Sequence, residues 1–113
     1  MNNEITLTES DISSCVFALS KIQDLHKHFD DISDAQKIIN ESLALSATEK
    51  LLSSQLLSNN ELRVLYGCIT FCNSVCHDLL DKYPRLYKEC MPHFFTLNKL
   101  DKTLSSVIPD SYL

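Results

Sequence analysis

Glycine occurs once in the 113-residue chain, at Gly67; proline occurs three times, at Pro84, Pro92 and Pro109; tryptophan is absent. So little glycine argues against hairpin-rich β folds, whose tight turns need residues at positive φ. It also excludes the glycine-rich phosphate loops and dinucleotide fingerprints, which need several glycines at set spacing. No apolar run approaches the roughly 20 residues needed to cross a bilayer. The first ten residues, MNNEITLTES, lack the basic and apolar regions of a secretory signal. A cytoplasmic location is the expectation, and the five cysteines are then read as free thiols.

Positive charge is scarce as well. The formal net charge is −5, and residues 1–34 carry seven acids against Lys21 and Lys27. An acidic segment repels phosphate backbones, so nucleic acid is not the expected partner. Leu57–Leu65 has the letters of a helix-turn-helix entry. A capping box before any apolar helix gives the same letters, and Arg63 is its only base. Templates for catalysis are missing too: there is no GxSxG, no HExxH and no Glu-x-x-His pair.

What is present is helical patterning. Ile12, Cys15, Leu19, Ile22, His26 and Phe29 repeat at gaps of 3 and 4, predicting one helix that starts at Ser10 or Asp11 and runs to about residue 29. Ser33 and Gln36 have capping-box spacing and open a second helical region, with Ala35, Ile38, Ile39, Ser42, Leu43 and Leu45 expected as its apolar side. Ser46 and Glu49 repeat that spacing, so 34–57 reads as one bent helix or two short ones, with two preferred. Ser58 and Glu61 precede the strongest pattern, Leu62, Leu65, Ile69, Cys72, Cys76, Leu79 and Tyr83. A second stripe, Val64, Cys68, Phe71 and Val75, flanks it. A helix apolar around most of its circumference is a buried one, so 60–83 is expected to be central. Gly67, Thr70 and Ser74 on its polar strip would let a neighbouring helix approach closely.

Pro84 suits the first turn of a following helix, and Pro92 should kink or split it. A short last helix is expected near 101–107. The fold expected is an all-α, compact bundle of four to six helices in a single domain, 1–113, with loose ends at 1–9 and 109–113.

Two groups of residues carry candidate chemistry. Asp24, Asp30, Asp31 and Asp34 form an acidic face suited to a basic protein surface. Cys68, Cys72 and Cys76 recur every fourth residue, with Cys90 on the next helix, and soft thiolates on facing helices can hold Cu(I) or zinc. Over residues 68–76 alone, this spacing resembles the cysteine-lined bundles of bacterial copper-storage proteins, a resemblance that implies copper ligation by those thiols. Buried cysteine is also a small core hydrophobe, and the aliphatic face around this ladder favours that reading.

His26 and His28 are two residues apart and cannot share a helix face; His26 continues the apolar stripe, as a buried histidine would. Lys82, Arg85 and Lys88 are read as a solvated basic face. The function expected is that of a small cytoplasmic protein acting on another protein: an inhibitor, immunity-type protein, adaptor or regulatory subunit, and not an enzyme. The alternative is a thiol-based copper or zinc bundle. A homodimer through the heptad-like stripes is a further possibility.

Overall fold

Helix periodicity without strand signals resolves into six α-helices and one 3₁₀ turn in a computed structural model that describes residues 7–107. The helices are α1 (Glu9–Leu19), α2 (Ile22–His28), α3 (Asp34–Leu52), α4 (Asn59–His77), α5 (Pro84–Cys90) and α6 (Phe94–Val107), with the 3₁₀ turn at Met91–His93. No strand occurs among the described residues, and the bundle is all-α and compact, with a radius of gyration of 13.2 Å.

α4 is the central element. It packs against α1, α3, α5 and α6, and touches α2 more lightly. Leu65, Ile69, Cys72 and Val75 are essentially sealed from solvent. Burying an aliphatic side chain of that size contributes about 1.5–3 kcal/mol. Leu97, Leu100 and Leu104 of α6 supply the facing layer, and Cys15, Ala18 and Leu19 of α1 close another side.

Several boundaries depart from the sequence expectation. The first stripe is carried by two helices. α1 ends at Leu19, and the Ser20 and Lys21 amides return to Val16, Phe17 and Ala18 carbonyls before α2 begins. The apolar period survives because both pieces face the same core. The N-cap is Thr8; Asp11 is its capping-box partner, each bonding the other's amide, at 3.0 and 3.1 Å. Glu9 is already helical and Leu7 packs against the core, so 7–9 are not loose. Residues 1–6 and 108–113, including the expected loose end at 109–113, lie outside the described residues.

α3 is one helix, not two. Ser46 and Glu49 sit one turn apart inside it, because a capping-box spacing is also an ordinary i, i+3 surface spacing. α4 stops at His77 and not near 83. The Asp78 and Leu79 amides both return to the Ser74 carbonyl, at 2.8 and 2.9 Å. Leu79 and Tyr83 keep the stripe alive by packing on the core from the turn that follows. Residue 83 precedes proline, which disfavours helical backbone there. Pro84 does open α5, and Pro92 does split the segment, at the 3₁₀ turn. The last helix begins at Phe94 and runs through 101–107 without a break.

α3 ends in a Schellman arrangement. The Gln55 amide bonds the Lys50 carbonyl at 2.8 Å, and the Ser54 amide the Leu51 carbonyl at 3.3 Å. Ser54 holds φ 59°, the one positive φ among the described residues and one that favours glycine. Ser54→Gly should therefore stabilise the fold by about 0.5–1 kcal/mol, read as a raised midpoint in urea; a lowered midpoint would contradict the cap assignment.

Candidate interaction surfaces

The thiols are core residues in position. All five cysteines are free and buried. Cys68, Cys72 and Cys76 stand among Leu65, Ile69 and Val75 on α4. Cys90 comes from the end of α5, and its thiol hydrogen-bonds those of Cys72 and Cys76, so three of the four residues singled out converge. Cys68 lies a turn away. Burial pushes Cys68 up to about 12 and Cys76 to about 11. Cys72 is pushed up by its hydrogen bond to Cys90 and then by burial. Cys90 is drawn down, chiefly by the hydrogen bond from Cys72, whereas Cys68 and Cys76, held protonated by burial, are poor nucleophiles. Among the described residues, no group of three or more histidine, cysteine, aspartate or glutamate side chains is placed to hold a metal ion.

The charged side chains that reach the interior are tied to structure. Glu61, at the first turn of α4, is buried. It accepts hydrogen bonds from the Ser46 hydroxyl on α3, from Lys50 Nζ at 2.9 Å and from the Ser58 amide at 2.7 Å. Burial pushes its carboxyl up, but these bonds outweigh that and hold it at about 2. Asp11 is likewise buried, and it pairs with Lys99 of α6 at 2.5 Å. Asp101 of α6 accepts from Thr70 and Asn73 of α4 at 2.9 and 3.1 Å.

His93 Nδ1 lies 2.7 Å from the Ser14 hydroxyl, and its ring stacks on Phe17. Burial draws its pKa down, which favours a neutral ring. A serine–histidine pair of this kind could be a nucleophile and base, but Ser14 is only 1% exposed and out of a substrate's reach. His26 is 4% exposed, 3.3 Å from Asn40 Nδ2 and 3.6 Å from a Glu41 carboxylate oxygen. His28 points elsewhere, to the Tyr83 hydroxyl at 2.6 Å, so the two histidines do not converge. Lys82, Arg85 and Lys88 are exposed, and Lys82 lies 5.5 Å over the Tyr83 ring.

The acidic residues divide between two places. Asp30 and Asp31 lie in the α2–α3 connection and Asp34 opens α3; all three are exposed, and none is ion-paired among the described residues. Asp24 is half-buried on another side of α2, beside Glu41, Ala44 and Leu45. Phe29, immediately before the aspartates, is 47% exposed.

Two features escaped the sequence reading. The first is the outer face of α3. Ile38, Leu45 and Leu52 are 69%, 64% and 69% exposed and lie opposite the buried Ala44, Ala47 and Leu51. This corrects the expected apolar side: Ile38, Ile39 and Leu45 are turned outward, and the core is met by Ala44, Ala47 and Leu51. The second is a groove over α4. Gly67 is not tightly covered by a helix, since a Cβ added there would meet only the Leu25 methyl, at 3.9 Å, whereas Thr70 is tied to Asp101 of α6. A trough of about 410 Å³ runs along them, joined through Leu25, Arg63 and Gly67 to another of about 310 Å³.

No family model, curated protein or solved structure matches the chain.

The Glu61 cluster has a defined pH signature. Its pKa in the fold, about 2, lies below its ordinary value of 4.5. The stabilisation is therefore complete above about 4.5 and is lost as pH falls towards 2. Urea unfolding between pH 6 and pH 2.5 should show a loss on the order of 3 kcal/mol from this group. Glu61→Gln should flatten that part of the curve; an unaltered acid limb in the variant would contradict the assignment.

Proposed function

We propose that the protein acts in the cytoplasm by binding another protein, as an inhibitor, immunity-type protein, adaptor or regulatory subunit, and not by catalysis. The observation that carries this reading is the α2–α3 corner. Three exposed aspartates without an ion pair among the described residues stand beside the half-exposed Phe29, with Ile38 one turn into α3. Unpaired charge next to exposed apolar surface is the make-up of a docking site, where the charge steers encounter and the apolar group supplies affinity. The surface calls for a basic partner. The polar groups that could do chemistry inside the bundle are instead engaged in holding helices together, as with Glu61, Asp11 and Asp101.

The Ile38–Leu45–Leu52 stripe favours a second reading, association with a second copy through α3. Heptad spacing on one exposed face is the pattern of a helix–helix seam.

Electrostatic steering gives the first reading a kinetic test. Asp30→Lys combined with Asp31→Lys should lower the association rate with the partner by about tenfold or more at low ionic strength, the difference shrinking as salt is added. Surface plasmon resonance would measure it, with circular dichroism confirming that the helices persist. An unchanged on-rate would remove the acidic corner from the interface.

A further inference from the structure

The groove over α4 narrows the chemistry of the partner, and this inference rests on the protein-binding reading above. α2 runs in the same direction as α4: Ile22 and Val64 border one end of the joined trough, and His28 lies by Phe71 towards the other, at 5.4 Å between ring centroids. The floor is the strip Arg63, Gly67, Thr70 and Ser74. From Arg63 to Ser74 the helix rises about 16 Å, three turns. Phe29, Tyr66 and Phe71 give the walls aromatic surface. With no side chain at Gly67, another backbone can come close to α4 there. The larger trough, walled by Leu25, Phe29, Tyr66 and Leu79, is mainly apolar and suits the apolar stripe of a short amphipathic helix, while the Arg63 end is polar and bordered by Gln36 and Asn40 of α3.

Its two ends differ in sign. α2 and α4 both point their C-termini, the negative poles of their dipoles, towards the same end, α2 finishing beside Phe71 and α4 about 9 Å farther on at His77. Asp30 and Asp31 follow directly on Phe29, and the exposed Asp78 precedes Leu79, which also borders the trough. Two lysines stand near this end: Lys82, engaged over the Tyr83 ring, and the exposed Lys27 in the last turn of α2, so the three aspartates outnumber the cations by one. At the other end stands Arg63, exposed and in no ion pair among the described residues.

We propose that the groove between α2 and α4 receives an amphipathic helix of the partner protein, lying antiparallel to α4. Its basic N-terminal turn meets Asp30 and Asp31, and its C-terminal end meets Arg63. In this orientation the bound helix's positive pole faces the acidic end and its negative pole faces the arginine. Leucines spaced i, i+4, i+7 and i+11 on the bound helix would fill the trough over Gly67, Thr70 and Ser74.

Two synthetic stapled peptides of fourteen residues test this. Both carry that leucine spacing; one has lysines in its first turn and glutamates in its last, the other the reverse. Stapling equalises their helicity, so only the charge order differs. Titrated into the full-length ¹⁵N-labelled chain, the lysine-first peptide should bind at least tenfold more tightly, with amide shifts concentrated in residues 22–29 and 63–74. Gly67→Leu, which fills the floor with a better helix former, should remove that binding while circular dichroism is unchanged. Arg63→Glu should abolish or invert the preference for charge order.

Equal affinity for the two peptides overturns the proposal, as does binding by neither. Shifts on the outer face of α3 also overturn it, while leaving the protein-binding reading intact. That broader reading falls on separate evidence, when the protein isolated from its source cells carries no partner.

Discussion

Everything in this bundle depends on the burial of α4. A nineteen-residue helix with an apolar surface over most of its circumference has no stable existence in water. The other helices are arranged to meet that constraint: α6 and α1 on two sides, α3 on a third, α5 across its C-terminal half. The thiols belong to the same solution. Cys68, Cys72 and Cys76 are small buried side chains of α4, and Cys90 arrives from α5 against two of them. The strip left partly open, at Arg63, Gly67 and Ser74 beside the α6 contact of Thr70, is where the aliphatic pattern gives way, and there the fold opens into a groove.

Carboxylates, two of them buried and Asp101 partly so, give the packing its register. A purely apolar α3–α4 contact could slide by a turn at little cost. Glu61 opposes that, because displacing α3 would separate it from both Ser46 and Lys50 while leaving it out of water. Asp11 with Lys99 performs the same service between α1 and α6, and Asp101 with Thr70 and Asn73 between α6 and α4. Each joins a helix end or face to one distant in sequence.

The all-α class, the central helix, the Ser58–Glu61 cap, the Pro84 start and the Pro92 break could be read from local pattern alone, because each rests on residues within one or two turns. The Ser20–Lys21 break could not, since α1 and α2 continue one apolar period through it. Ser46 was misread because its partner is Glu61, fifteen residues on, and not Glu49. The far end of α4 was overextended because Leu79 and Tyr83 remain apolar and packed after the helix has stopped. The four aspartates were legible as charge, but their division between two sides of α2 depends on a helix direction that composition does not carry. The groove was visible only as a strip of small residues, a pattern that suits a covered crossing as well as an open one.

The interior polar groups hold helices together, and the surface presents an acidic corner, a trough beside it, and an apolar stripe on the outer face of α3. The central claim is that the protein works bound to another. The most direct test is a native mass spectrum of the tagged chain, gently isolated from its source cells under reducing conditions. The account predicts a mass equal to the chain plus one defined protein partner, the added mass lost when Asp30 and Asp31 are changed to lysine. A bare monomer at every gentle condition would contradict it, as would a metal increment that disappears in Cys72→Ser.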